Sequence, residues 1–294
     1  MRTSRCPLCG GATVGAFSVE DRNRGIGNER FGYRRCLSCR TYYLADPPAD
    51  LGRYYPATYY QLPEADELDR HASAETPKVE LLRPFATGGS LVDIGAGFGL
   101  FARAASNAGY DVTAVEMDDR CCAYLERVVG VRVIRSDAPD EALAQLDAVR
   151  AVTLWHVLEH LPRPWDLLAA AADRLEPGGV IVIATPNPDS LQFRLLGARW
   201  AHVDAPRHLF LIPLSALTRR AHELGLEVAH VTTGDEAGRH WNQFGWEYAL
   251  RRCPARRPAA PGTLALSLLI TMLFAPIERR GLRGAAYTAV FVKR

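Results

Sequence analysis

The chain has 294 residues, 48% of them hydrophobic, and sets 35 Lys and Arg against 33 Asp and Glu for a net charge of +2. That is long enough for one large core plus a small appendage, and too apolar for a mainly disordered chain. The near-balanced charge excludes a global field that gathers polyanions, so no nucleic-acid partner is expected. Met1 to Gly10 is polar and cysteine-bearing rather than an apolar leader, which reads as cytoplasmic.

Cys6-Pro7-Leu8-Cys9 and Cys36-Leu37-Ser38-Cys39 are two C-x-x-C knuckles, each able to give two thiolates to one tetrahedral Zn²⁺. Between them lie an apolar run, Thr13 to Val19, and turn residues, Asp21 to Asn28, which leaves room for a hairpin. Residues 1–44 therefore read as a zinc-ribbon-like module with Cys6, Cys9, Cys36 and Cys39 as structural ligands. Two disulfides or a redox pair are the alternatives. Cys121, Cys122 and Cys253 lack partners at ligand spacing and read as ordinary thiols. Residues 45–75 form a linker rich in proline and tyrosine, including Tyr54, Tyr55, Tyr59 and Tyr60. Its aromatic pairs suit either an interdomain seam or a pocket cap, with Tyr59 the candidate acceptor contact. A helix is expected from Thr76-Pro77 through Phe85, stopped by Gly88-Gly89.

The stretch Leu91-Val92-Asp93-Ile94-Gly95-Ala96-Gly97-Phe98-Gly99 runs a buried strand into an acid and three alternate glycines, with a helix expected from Leu100 to Ala108. Such a turn lets backbone press against a ligand at a helix start. A second strand, Val112 to Val115, ends in Glu116, placed to hydrogen-bond both ribose hydroxyls of an adenosine ligand. Asp93 would repel a pyrophosphate and suits a ligand with a cationic amino-acid end. Asp93 to Gly99 resembles the first motif of class I S-adenosylmethionine-dependent methyltransferases. The resemblance continues through Ser136-Asp137 after the strand Val131 to Ile134, through Ala151 to Trp155 as a fourth strand, and through Leu175 to Ile183 as helix, turn and fifth strand. It implies a doubly wound α/β Rossmann-like sheet over residues 76–294, with an antiparallel C-terminal hairpin of Leu226 to Thr232 and Ala286 to Val292, preceded by the small zinc module. It also implies S-adenosylmethionine held by Asp93, Gly95, Gly97, Glu116, Met117, Asp137 and Trp155.

Ligands of such a sheet lie beyond the carboxyl ends of its strands, which puts Trp155-His156-Val157-Leu158-Glu159-His160 near the transferred methyl group. His156 is the first candidate base. A second polar cluster, Thr185-Pro186-Asn187-Pro188 and His202-Val203-Asp204-Ala205-Pro206-Arg207-His208-Leu209-Phe210, resembles an Asp-x-Pro-x-His-Leu-x-x-Phe segment of a bacterial methyltransferase group that also carries cysteine knuckles. This implies a cover over the pocket, residues 185–214 with 245–283, before a helix at Ser215 to Leu224. His208 is then the alternative base, while Glu159, His160, Asn187 and Asp204 join Tyr59 as candidate acceptor contacts. His156, Glu159, His160 and His208 are also similar in spacing to the Glu-x-x-Glu-His metal set of ubiquinone O-methyltransferases. Here His156 replaces the first glutamate, which lowers the count of hard oxygen ligands and disfavours Mg²⁺.

Leu264 to Ala275 is apolar on nearly every face, too short to span a bilayer, and near basic residues Arg251, Arg252, Arg256, Arg257, Arg279, Arg280 and Arg283. A buried wall, a dimer contact and a membrane-surface helix or lipid-facing lid remain open, the last extending the expected location to the inner membrane surface. The functional expectation is methyl transfer from S-adenosylmethionine to a hydroxyl of a small metabolite of the sugar, glycan-linked, lipid-linked or polyketide type, in line and with a histidine base. N- or C-methylation, RNA methylation and a non-catalytic cofactor-binding scaffold are the other readings.

Overall fold

A computed structural model describes residues 5–56, 59–251 and 262–294, with only the backbone of Ala237. Arg252, Cys253, Arg256 and Arg257, singled out above, lie outside the described residues. In chain order the elements are β1 (Thr13–Val19), β2 (Phe31–Cys36), β3 (Tyr42–Leu44), α1 (Leu68–Ala72), α2 (Thr76–Leu82), β4 (Gly89–Ile94), α3 (Leu100–Asn107), β5 (Tyr110–Glu116), α4 (Asp119–Tyr124) and β6 (Arg132–Arg135). There follow α5 (Pro139–Ala144), β7 (Val149–Trp155), α6 (Pro164–Arg174), β8 (Leu175–Pro186), α7 (Leu191–Leu196), β9 (Phe210–Leu211), α8 (Leu214–Glu223), β10 (Leu226–Thr232), α9 (Glu236–Leu250), α10 (Thr263–Glu278) and β11 (Ala286–Lys293).

Seven strands form one sheet in the order β10-β11-β8-β7-β4-β5-β6. β7 and β5 run parallel to β4, whereas β11 is antiparallel to both β8 and β10. The central strands are apolar on both faces because helices cover both. Val92, Ile94, Val152, Leu154, Ile181 and Ile183 pack with Leu143, Leu167 and Leu168 of α5 and α6. On the opposite face Leu91, Ala151, Val180 and Val182 meet Val79 and Leu82 of α2 and Phe101 of α3. The expected strands and C-terminal hairpin form at nearly their expected residues, but α2 stops at Leu82, three residues before the Phe85 expected from sequence.

The N-terminal residues form a second sheet, β1-β2-β3-β9, whose fourth strand comes from the segment expected to cover the pocket. Tyr42 and Tyr43 pair with Leu211 and Phe210, and the Tyr33 hydroxyl donates to the His208 carbonyl at 2.6 Å. Arg207, wholly buried, holds Asp21 Oδ1 and Asp204 Oδ1 at 2.6 Å each. Two carboxylates and a guanidinium in forked geometry satisfy one another, and removing one member costs about 3–5 kcal/mol by stranding the others. The Trp165 indole also donates to the Leu8 carbonyl at 3.1 Å, tying the first knuckle to α6.

Candidate functional site

The strand-to-helix turn after β4 holds Gly95, Gly97 and Gly99 at positive φ, 65°, 57° and 83°. A Cβ on Gly95 would come within 2.6 Å of the Val157 side chain, so the turn and the segment after β7 close on each other. A Cβ on Gly97 would sit 3.4 Å from the Tyr60 ring, a gap bounded on one side by bare backbone. Glu116 ends β5 beside this turn. Its Oε2 accepts from Gly97 N at 2.8 Å, and its Oε1 from Met117 N and Asp118 N at 2.8 and 2.9 Å. The carboxylate thus latches the glycine turn as well as facing the expected ribose position.

Asp93 is buried and accepts from the Thr153 hydroxyl at 2.8 Å. Burial pushes its carboxyl up to about 7, against that hydrogen bond and the Lys78 charge, with Glu75 and Glu116 adding to the rise. A buried acid so poised is stabilised by a cationic ligand group. Nearby, Lys78 Nζ lies 4.9 Å from the centre of the Trp155 ring, and the buried Trp155 Nε1 has no hydrogen-bond partner among the described residues. An orphaned donor, a poised acid and a glycine cradle fit a polar, partly cationic nucleoside ligand. Met117 and Asp137 lie exposed at the tips of β5 and β6. A groove of about 790 Å³ opens alongside, lined by Thr76, Pro77, His230, Thr232, Asp235 and Arg239, and does not include the glycine turn.

The reacting end is built on the segment after β7. His156 adopts φ 58°, a left-handed conformation that a non-glycine residue takes only where its surroundings hold it there. Its Nδ1 lies 3.2 Å from Glu159 Oε1, and Glu159 Oε2 accepts from the Thr185 hydroxyl at 2.8 Å. Burial alone would raise the Glu159 carboxyl, but the hydrogen bond from His156 and the charges of His156, His208 and His160 bring it down to about 2. An ionised carboxylate can only accept, so His156 carries its proton on Nδ1 and leaves Nε2 as the basic nitrogen. Trp241 of α9 covers the imidazole with ring centres 4.8 Å apart.

His160 and His208 share that tautomer. The Nδ1 of His160 lies 3.1 Å from the Arg207 carbonyl and 2.9 Å from the Tyr55 hydroxyl, while the Nδ1 of His208 lies 2.8 Å from the His202 carbonyl. Their rings meet edge to face at 4.6 Å. Burial draws the imidazoles of His160 and His202 down to about 4 and about 3, so both are neutral at pH 7. Ligand atoms of Glu159, His160 and His208 lie within 4.8 Å of one another. Because both Glu159 oxygens already serve His156 and Thr185, this set is a poorer open cage for a cation than its spacing alone implies.

Three candidate acceptor contacts are engaged elsewhere. Asn187 Nδ2 donates to the carbonyls of Leu282 and Gly284 at 2.9 Å each, while its Oδ1 accepts from Asp189 N, so the side chain pins the β8 exit to the last connection. Asp204 is held by Arg207. Glu159 is wholly buried and acts on histidine, not on an acceptor. Tyr59 packs between Tyr55, tilted against it, and Tyr60, edge to face, with ring centres 5.0 Å from each. Sequence reasoning missed Trp241 and Lys78, and placed Thr185 and Arg207 only within the second polar cluster, with no role of their own. Trp241 lies on α9, nine residues past Thr232, and the cover was expected to begin only at 245.

The four cysteines of the knuckles gather at one point. Cys6 Sγ and Cys39 Sγ are 3.7 Å apart, Cys9 Sγ and Cys36 Sγ 3.5 Å, and all four lie within 4.8 Å of one another. A tetrahedron with Zn–S bonds of about 2.3 Å has edges of about 3.8 Å, so the donor set fits such an ion. Cys36 Sγ also accepts from Cys39 N at 3.4 Å, the amide-to-sulfur contact of a knuckle.

Residues 67–231, more than half of the chain, match a family described as a methyltransferase domain. The chain belongs to that family. The matched methyltransferase domain includes the glycine turn, Glu116, and His156 with Glu159, and leaves out the cysteine knuckles and α9 to β11. A ubiquinone biosynthesis O-methyltransferase of Bordetella avium is 33% identical over 151 residues, 48% of this chain and 63% of that protein. One from Acinetobacter baylyi is 27% identical over 176 residues, 55% of this chain and 71% of that protein. The chain thus spans less than two thirds of the Bordetella protein's length. Among solved structures, a SAM dependent methyltransferase from Archaeoglobus fulgidus superposes with a TM-score of 0.53 at 20% identity, over 78% of this chain and 97% of that one. An O-methyltransferase family protein from Burkholderia thailandensis gives 0.50 at 16% identity, over 85% of this chain and 64% of that one. Both carry the same fold as the large sheet and its helices.

Proposed function

We propose that the chain transfers a methyl group from S-adenosylmethionine to an acceptor hydroxyl, with His156 as the base and Glu159 as its positioning residue. The observation that carries this is the buried Thr185–Glu159–His156 relay, set beside the Asp93, Gly97 and Glu116 cradle on one edge of the sheet. Asp93 takes the amino-acid end of the methyl donor, Glu116 and the Gly97 turn its ribose, and Trp155 lines the pocket between. When bound, S-adenosylmethionine supplies an electrophilic methyl on sulfonium. His156 Nε2 accepts the acceptor's hydroxyl proton as its oxygen attacks in line, and Glu159 stabilises the resulting imidazolium without itself being protonated. The tyrosine stack and Trp241 exclude water from the acceptor.

The curated relatives favour a ubiquinone-precursor type of acceptor, a hydroxyl on a ring with apolar substituents, and give the sugar or polyketide reading no support. An aromatic wall of Tyr55, Tyr59 and Trp241 agrees with a flat apolar acceptor. The cysteine cluster is proposed as a structural Zn²⁺ site that fixes the hairpin to which the cover strand β9 is added. The test is isotope transfer from labelled S-adenosylmethionine to catechol-type acceptors with and without long alkyl substituents, against sugar acceptors as the contrast. Binding of the donor without transfer to any ring hydroxyl would reject the acceptor class, and absence of donor binding would reject the whole reading.

A further inference from the structure

The outermost layer over the histidine cluster is α10. It packs on α9 through a seam of Ser267, Thr271, Phe274 and Glu278, a spacing of four, three and four that marks one helix face, with Thr263, Ile270 and Ala275 half-buried beside it. Phe274 stacks on Trp246 with ring centres 5.1 Å apart, and Glu278 accepts from Trp246 and Gln192 at 3.0 Å each. The rest of the helix is bare. Leu264, Leu266, Leu268, Leu269, Met272 and Leu273 are all exposed, Met272 and Leu273 to 73% and 69%. A soluble monomer rarely presents so many large apolar side chains in one place. Helix α10 has 16 residues, about 24 Å at 1.5 Å per residue, and no helix among the described residues is long and apolar enough to cross a membrane.

We propose that this face docks on an anionic phospholipid surface, so that α10 lies in the interface and α9 stands between the bilayer and the acceptor pocket. The charge around the patch selects the occupant. Arg279, Arg280 and Arg283 are exposed at one end of α10 and form no ion pair among the described residues. At the other end the described Arg251 is paired with Glu247. The two acids nearest the patch are engaged, Glu278 inward as above and Glu247 with Arg251. The C-terminal end of the apolar helix is therefore positive. A second copy laid parallel along the same face would bring Arg279, Arg280 and Arg283 against their own copies, whereas anionic headgroups would meet them while the leucines enter the acyl boundary. Trp241, on the inner helix of this pair, touches His156, so the surface that meets lipid is two helices from the proposed base. The link to an apolar acceptor rests on the proposed function, but the docking itself does not.

Vesicle flotation tests the docking without any turnover. The full chain is mixed with phosphatidylcholine vesicles with or without about one third phosphatidylglycerol, and bound fractions are measured against lipid concentration. Wild type is expected to float with the anionic vesicles. The double variant Leu269→Glu, Met272→Glu should lose at least about tenfold in apparent affinity. Arg279→Gln with Arg280→Gln should lose about fivefold per charge on anionic vesicles and nothing on neutral ones. Calorimetric binding of S-adenosylmethionine by each variant shows that it is folded, and a loss of that binding in wild type would count against the methyltransferase reading alone. Docking on lipid is overturned if wild type stays with the unbound fraction, or if both double variants float like wild type. It is equally overturned if the leucine variant only converts a dimer to a monomer, which would make the face a contact between copies.

Discussion

Replacing Glu159 with glutamine removes one charge from a fully buried position without changing its volume. In the native arrangement the carboxylate accepts a hydrogen bond from the Thr185 hydroxyl on one oxygen and from His156 Nδ1, at 3.2 Å, on the other. Glutamine keeps one acceptor and gains a donor, so it can satisfy Thr185 or His156 but no longer stabilise a cation. A hydrogen bond to a charged partner contributes about 1.5–3 kcal/mol, and this one strengthens as His156 takes up the acceptor proton. Losing about 2 kcal/mol at that step lowers turnover about 30-fold. If the new amide donates to Nδ1, the imidazole is driven to the tautomer with its proton on Nε2 and the fall is larger. The assay is steady-state transfer from labelled S-adenosylmethionine, with donor affinity measured separately by calorimetry. Donor affinity should change little, because Asp93 and Glu116 are untouched. Turnover within threefold of wild type, or a donor affinity that falls in step with turnover, would refute the relay.

Asp93 sets a pH dependence for donor binding. Its carboxyl, buried beside Thr153, Lys78, Glu75 and Glu116, is protonated below about pH 7, while the donor's amino group needs the carboxylate. Affinity should therefore rise about fivefold between pH 6 and 7 and about tenfold by pH 8, levelling off above that, with a proton released on binding below about pH 7. Equal affinities at pH 6 and 8 would show that Asp93 does not meet the amine. The same shift has the opposite sign for the empty protein, whose stability from Asp93 in acid is lost as pH rises through about 7. Glu116→Ala should weaken donor binding by about 2 kcal/mol, since it frees the Gly97, Met117 and Asp118 amides together with the ribose contact, and an unchanged calorimetric affinity would contradict this. Metal analysis should find one zinc per chain, lost in Cys39→Ser with a lower melting temperature, and disulfide-linked cysteines in reduced, cell-extracted protein would exclude the site.

Most of the large sheet was legible because its strands are buried on both faces and read as unbroken apolar runs between glycine-rich turns. The cofactor side was legible for the same reason: Asp93, the glycines and Glu116 lie at fixed offsets from those runs. The acceptor side was less so. β9 is two residues long, too short to leave a period, and its partner β3 precedes it by more than 160 residues. Arg207 looks like any arginine until folding closes it on Asp21 and Asp204. Asn187 and Asp204 read as acceptor contacts because their polar cluster resembles a methyltransferase segment that covers the pocket, whereas backbone carbonyls and Arg207 occupy their side chains. The apolar run of α10 has no polar face to orient it, so sequence leaves a buried wall open, and the exposure of Leu264, Leu266, Leu268, Leu269, Met272 and Leu273 excludes it.

The addition of β9 to the N-terminal hairpin makes the smaller sheet a composite of two stretches far apart in sequence. A cut between residues 44 and 45 would sever a polypeptide but not a structural unit. The shortened chain would keep Arg207 without Asp21 and leave Phe210 and Leu211 facing water where Tyr42 and Tyr43 had been. Any recombination that exchanges the cysteine module between related chains must exchange residues 201–211 with it, since the two halves of that sheet recognise each other's register and charge.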